Sequence, residues 1–177
     1  NRPFAAGDAN LLHGMVAAAA LTAASLLCAY FVSPLFLAFL LLYVAITTAY
    51  SARLKQTPLV DVMLLAGLYT LRVLAGAAAC RIVPSFWLLG FSMLLFTSLA
   101  FAKRYAEVAD AHRRGTRTIS GRGYQVMDEP VLATFGVSSG YAAVVLMALY
   151  INATAETGAY ATPMLLWAVC PLLMYWI

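Results

Sequence analysis

The chain has 177 residues, of which 64% are hydrophobic and 10% charged, with a mean hydropathy of +0.87. A soluble domain carries about 25% charged residues, so the composition excludes an ordinary soluble protein and fits a bundle of transmembrane helices. The net charge of +4 is small, and the placement of the cations says more than their total.

Asn1–Asn10 is a polar lead-in. From Leu11 to Ala52 there is no Asp, Glu, Lys or Arg. That run is too long for one span, and Ser33-Pro34 divides it, because proline opens helices well and interrupts them badly. The first two spans are therefore predicted near 11–32 and 34–50, each about the length that crosses a hydrocarbon core. A third is expected over 58–79, with Pro58 in its first turn, and a fourth over 84–103, opened by Pro84. The segment 103–130 is polar and rich in Arg and Gly. A fifth span is expected over 131–151 and a sixth over 161–177, with Pro163 near its start and a kink at Pro171.

Six spans alternate the side on which each connection emerges. The side of Asn1 then carries Arg2, Arg53, Lys55, Lys103, Arg104, Arg113, Arg114, Arg117 and Arg122, and the other side only Arg81. The excess places the first side in the cytoplasm. For Arg113, Arg114, Arg117 and Arg122, topology and anionic head groups are sufficient roles. Cys28, Cys80 and Cys170 are an odd set without metal-ligand spacing, and are expected as small buried hydrophobes. Gly136 and Gly140 have the spacing that lets helix backbones approach closely in lipid, though small residues also fall so by chance. The sequon at Asn152-Ala153-Thr154 is short and close to a membrane end. The chain opens at Asn1 and stops at Ile177 within an apolar run, and is expected to be a piece of a longer protein.

The stretch Tyr50–Gly76 holds ionisable groups in greasy surroundings. Arg53 and Lys55 sit between two apolar runs, and Asp61 and Arg72 fall within the next. Such groups cost several kcal/mol at bilayer depth, so they face a protein interior or a wet cavity. Eleven residues of helix is about three turns, so Asp61 and Arg72 are expected on one face, sharing a polar cavity without touching. Arg72 lies deep in its span and needs a polar partner. Asp61 also suits a helix N-terminus, where the macrodipole favours a carboxylate. After the fourth span come Lys103, Arg104, Glu107 and Asp110. Lys103 and Glu107 have the spacing of a helix-surface ion pair, in the weaker order, and adjacent Lys103 and Arg104 point about 100° apart. A cationic rim over an apolar bundle suits an amphiphile with a phosphate head and a lipid tail, and carboxylates can hold Mg²⁺ that bridges a diphosphate. No nucleic-acid partner is expected. Periodicity and charge stop there; they do not separate an enzyme from a transporter or a lipid-binding scaffold.

Three patches extend the argument. Asn1-Arg2-Pro3-Phe4-Ala5-Ala6-Gly7, then Tyr50-Ser51 with Leu54-Lys55, Asp61, Arg72 and Gly76, then Ala102-Lys103-Arg104-Tyr105-Ala106-Glu107 stand in the order and spacing of one family. In them the chain resembles the UbiA superfamily of intramembrane prenyltransferases, and within it the branch typified by decaprenyl-phosphate phosphoribosyltransferase. The resemblance implies an all-α bundle of nine transmembrane helices around a cavity open to the cytoplasm, of which 1–177 would supply the third to eighth. It implies Mg²⁺ as cofactor, held by an NDxxDxxxD motif ahead of Asn1, with Asp61 a possible further ligand. It implies substrate-binding roles for Arg2, Tyr50, Ser51, Lys55, Asp61, Arg72, Lys103, Arg104 and Glu107. Aromatic prenyltransferases of the family carry a second aspartate-rich motif where this chain has Lys103-Arg104-Tyr105-Ala106-Glu107, a change that disfavours a second metal and favours a phosphate group. Gly121-Arg122-Gly123-Tyr124 also resembles relatives fused to a soluble phosphatase-like domain. The function so implied is phosphoribosyl transfer from phosphoribosyl diphosphate to a polyprenyl phosphate. Prenyl transfer from a polyprenyl diphosphate to an aromatic or other small acceptor comes second, and a non-enzymatic lipid-phosphate carrier or scaffold third. The expected setting is the cytoplasmic face of a bacterial inner membrane.

Overall fold

Prolines and hydroxyl caps cut the apolar chain into helices. A computed structural model describes residues 11–116, 123–155 and 163–177. Helix α1 is Leu11–Val32 and α2 is Pro34–Ala52. Between them the Ser33 hydroxyl accepts a hydrogen bond from the Phe36 amide at 3.1 Å, which satisfies one of the free N–H groups at the start of α2. A single 3₁₀ turn, Leu54–Gln56, leads to α3, Val60–Cys80. Leu59, just before α3, has φ 65°, and Arg81 closes α3 in the left-handed conformation at φ 57°.

Helix α4 is Phe86–Arg113, capped by Ser85 rather than by Pro84, with the Leu88 amide 3.1 Å from the Ser85 hydroxyl. It has 28 residues, ten more than the expected end at 103 allows. Lys103 and Arg104 mark where the chain becomes polar, but Ala, Glu, Lys and Arg are all good helix formers, so the helix runs on. Its length of roughly 42 Å exceeds a hydrocarbon core of about 30 Å, and the excess carries the charged residues. Helix α5, Glu129–Ala155, follows a 3₁₀ turn at Val126–Asp128.

Among the described residues five helices are long and apolar enough to cross a membrane, where six were expected. The last segment forms a 3₁₀ stretch, Pro163–Ala168, and a short helix α6, Val169–Trp176. Together these described residues rise roughly 24 Å. Pro171 explains the break, and it does not kink a longer helix. It lies in the first turn of α6, where its missing N–H costs nothing, and it cannot bond back to the residues upstream. All basic residues precede this segment, so the charge asymmetry is unchanged by the lower count.

The helices pack in chain order, α1 on α2, α2 on α3, α3 on α4 and α4 on α5, and the α4–α5 contact is the most extensive. The spacing of Gly136 and Gly140 is a true close contact. Both are buried, and the Ser98 hydroxyl donates to the Gly136 carbonyl at 2.8 Å. A Cβ on Gly136 would sit 3.2 Å from the Phe101 Cβ, and one on Gly140 would meet the Ile177 side chain at 2.8 Å. One face of α5 thus serves α4 and the end of the chain in turn. Cys170 is buried as expected, but Cys28 and Cys80 are exposed. Cys28 lies on α1, which packs mainly on α2 and leaves most of its surface open. The principal core joins Val62, Ala100, Phe101, Val108, Tyr124 and Leu132, directly beneath the charged groups of α3 and α4.

Candidate functional site

The ionisable residues of α3 and α4 converge where α2 ends. Arg104 is only 1% exposed. Its Nε lies 2.7 Å from Oδ2 of Asp61, which is wholly buried in the first turn of α3. Its Nη1 pairs with Glu107 Oε2 at 2.6 Å, one turn along α4, and its Nη2 donates to the Tyr50 hydroxyl at 3.2 Å, at the end of α2. The other Asp61 oxygen, Oδ1, accepts a hydrogen bond of 2.7 Å from the Tyr124 hydroxyl. That same hydroxyl accepts from the Leu59 amide at 2.9 Å. Burial, and then the bond to Asp61, push the Tyr124 phenol above its ordinary value, so it remains a proton donor. Removing either partner of a buried ion pair leaves an uncompensated charge, so Asp61 and Arg104 hold α2, α3 and α4 together.

Three expectations change here. Arg104 is not a free cation, since Asp61 and Glu107 neutralise it. Asp61 and Arg72 do not share a cavity: Asp61 turns to Arg104 and Tyr124, while the longer Arg72 reaches to the face of α2, with its guanidinium carbon 5.5 Å from the centre of the Tyr43 ring. That cation–π contact is the polar partner its depth demands. The expected Lys103–Glu107 pair is also replaced, because Glu107 is taken by Arg104 three residues before it. Lys103 and Arg104 point apart as their adjacency requires.

Two cavities flank α3. One, of about 220 Å³, is lined by Tyr43, Thr47, Tyr50, Ser51, Leu65, Leu68, Tyr69 and Arg72. Within it the Thr47 hydroxyl oxygen is buried without a hydrogen-bond partner among the described residues. The other, of about 250 Å³, is apolar except at Lys103, with Leu65, Tyr69, Phe96, Leu99 and Ala100 around it. Tyr69 and Phe96, ring centres 5.1 Å apart, stand where the cavities adjoin. Among the described residues Lys55, Arg72 and Lys103 make no ion pair. Lys55 lies on the Leu54–Gln56 turn, and Tyr50 belongs both to the first cavity and to the Arg104 network. Arg2 lies outside the described residues. Tyr124 was not among the expected site residues; its sequence signals are its place in the Gly121-Arg122-Gly123-Tyr124 patch and an aromatic next to glycine in an otherwise polar connection. Tyr43, Thr47 and Tyr69 look like ordinary span residues until the helices are assembled.

The model of the UbiA prenyltransferase family matches residues 1–177, the whole chain. The chain belongs to the UbiA prenyltransferase family. It is an all-α integral membrane protein of that family. It is 34% identical over 177 residues to Nodulation protein NoeC of Azorhizobium caulinodans, across 100% of this chain and 58% of that protein. It is 36% identical over 150 residues to protein y4nM of Sinorhizobium fredii, across 85% of this chain and 29% of that one. It is 31% identical over 114 residues to decaprenyl-phosphate phosphoribosyltransferase of Mycobacterium tuberculosis, across 64% of this chain and 38% of that enzyme. The chain thus spans little more than half, or less, of these relatives.

UbiA prenyltransferases generally use Mg²⁺. Among the described residues no group of three or more His, Cys, Asp or Glu is placed to hold a metal ion. Asp61 and Glu107, the carboxylates nearest the cavities, are engaged by Arg104. The described residues therefore do not fit Mg²⁺, and Asp61 is better described as an anchor for Arg104 than as a ligand.

Proposed function

We propose that the chain is part of an intramembrane transferase that moves phosphoribose from phosphoribosyl diphosphate to a polyprenyl phosphate at the cytoplasmic face of a bacterial inner membrane. An oxygen of the lipid phosphate forms a bond to C1 of the ribose, the bond from C1 to the diphosphate oxygen breaks, and diphosphate leaves. The observation that carries this reading is the state of α4 at residues 103–107. An aromatic prenyltransferase needs free carboxylates there. Here the one carboxylate in that stretch, Glu107, is committed to Arg104, and an uncompensated cation, Lys103, borders an apolar cavity. A lipid phosphate has matching parts, with its anion on Lys103 and its first isoprene units along Tyr69, Phe96 and Leu99. The 31% identity to a decaprenyl-phosphate phosphoribosyltransferase supports the same choice.

The donor is assigned to the neighbouring cavity and turn. Arg72, with the hydroxyls of Thr47, Tyr50 and Ser51, offers hydrogen bonds to a phosphorylated sugar, and Lys55 offers a charge to the diphosphate. Arg2 is proposed to join it. Arg104, Asp61 and Glu107 shape this site by holding Tyr50 and the helix ends, rather than by meeting the substrate.

Charge reversal at Lys103 tests the acceptor assignment in the full-length protein. Lys103→Glu is expected to weaken the apparent affinity for polyprenyl phosphate at least about tenfold, the loss of a charged hydrogen bond, while the Mg²⁺ concentration needed for half-maximal activity stays put. Altered Mg²⁺ dependence with acceptor affinity intact would favour prenyl transfer to a small acceptor.

A further inference from the structure

The connection leading into α5 is fastened onto the α2–α3 turn by two successive residues. Gly123 lies so close that a Cβ on it would run into the Gln56 carbonyl oxygen and stand 2.8 Å from Pro58 Cδ. Tyr124 then enters the core and is 2% exposed, packed with Val62, Phe101, Val108 and Leu132. Its hydroxyl ties two groups on either side of the α3 start, the Leu59 amide at 2.9 Å and Asp61 Oδ1 at 2.7 Å. Leu59 has φ 65° and ψ −45°, a tight three-residue turn closed by the Val60 amide on the Pro58 carbonyl at 2.8 Å, and such a strained turn persists only where its surroundings fix it. The bond from Tyr124 to the Leu59 amide is such a constraint. Lys55 stands four residues before Leu59, in the turn so held.

We propose that Tyr124 is a positioning residue: through Leu59 and Asp61 it fixes the 53–59 turn, and so places Lys55 against the diphosphate of the donor. The inference rests on the reading above, in which Lys55 meets a diphosphate. It adds that a residue some sixty-nine positions away, on a different connection, sets how well Lys55 does so. The turn and the 123–128 segment then respond to the donor as one unit.

The test uses the full-length protein in lipid nanodiscs, with inorganic pyrophosphate and MgCl₂ as the probe. Tyr124→Phe keeps the ring and removes the hydroxyl. Lys55→Met is expected to weaken pyrophosphate binding at least about tenfold, the loss of a charged hydrogen bond, and Tyr124→Phe by about three- to tenfold, the range of an ordinary one. The double variant is expected to bind no more weakly than Lys55→Met alone, because residues acting through one contact are not additive. Lys55→Met without effect would sink both the diphosphate reading and this inference. Lys55→Met weakened, with Tyr124→Phe silent or its effect multiplying in the double variant, would sink this inference alone. The unmodified protein supplies a second measurement. Pyrophosphate should slow amide exchange in 53–63 and in 123–128 together, and protection confined to 53–63 would contradict the coupling.

Discussion

Arg104 illustrates how a motif cation can be occupied by structure. It reads in sequence as the twin of Lys103, yet it is 1% exposed and clasped by Asp61, Glu107 and Tyr50. Arg104→Met leaves Asp61 buried without its counter-charge, and the protein should lose about 3–5 kcal/mol of stability. Lys103→Met, on an exposed position, should stay within about 0.5 kcal/mol of the parent. Thermal unfolding of the two purified full-length variants checks the contrast, and equal destabilisation would mean that the Arg104 network carries no weight. Tyr124 adds a pH dependence with a definite sign. Its phenol is pushed up in the folded state, so its contribution is fully present below the ordinary tyrosine value of about 10 and fades as pH rises through the higher folded value. The stability difference between the parent and Tyr124→Phe should therefore be constant near neutrality and narrow above about pH 10. A difference that widens there would reverse the assignment. At this scale the sequence discloses that Asp61, Arg72 and Arg104 are unusual, because charge in an apolar run is costly wherever it falls. It does not disclose who pairs with whom. Helical periodicity puts Asp61 and Arg72 on one face, but the neighbouring helix and the side-chain length decide the partner: short Asp61 meets Arg104, and long Arg72 reaches Tyr43.

At the scale of elements, glycines make the sharpest prediction. A Cβ on Gly123 meets a backbone oxygen of the α2–α3 turn, which cannot move without the turn, whereas one on Gly140 meets the flexible Ile177 side chain. Gly123→Ala should cost clearly more stability than Gly140→Ala, by about 1–3 kcal/mol, the usual penalty of overpacking. Equal losses in thermal unfolding would place the 123–124 clasp elsewhere. The first three helix boundaries are legible because Pro34 and Pro58 punctuate the chain. The end of α4 is not, since a charge can mark where lipid ends but not where a helix ends, and the residues from Lys103 to Arg113 favour helix as strongly as those before them. The end of the chain misleads for the opposite reason. Its composition is apolar enough for a span, and only the position of Pro171 in the first turn of α6 shows why the α-helix begins at Val169 and not at Pro163.

The whole molecule is organised about one end of its bundle, where the α2–α3 turn, the start of α3, the later part of α4 and the connection into α5 meet. That end carries the excess of Lys and Arg, which the positive-inside rule assigns to the cytoplasm. In a full-length protein freed of Cys28, Cys80 and Cys170, Thr116→Cys should react with an impermeant thiol reagent only from the cytoplasmic side, and Val83→Cys, between α3 and α4, only from the other. Labelling of Thr116→Cys from outside would invert the topology. The count of basic residues sets the expected orientation but is blind to the final segment, which follows the last of them. The transferase family is legible from the spaced patches around Lys55, Arg72 and Lys103, whereas the division of labour among their residues requires the assembled helices. The measurement that bears most directly on the account is transfer itself. Full-length protein in nanodiscs, given phosphoribosyl diphosphate labelled in the ribose together with a polyprenyl phosphate, should move the label into the lipid fraction and release pyrophosphate in equal amount. Absence of labelled lipid, with prenylated product formed when a polyprenyl diphosphate and an aromatic acceptor are supplied instead, would contradict it.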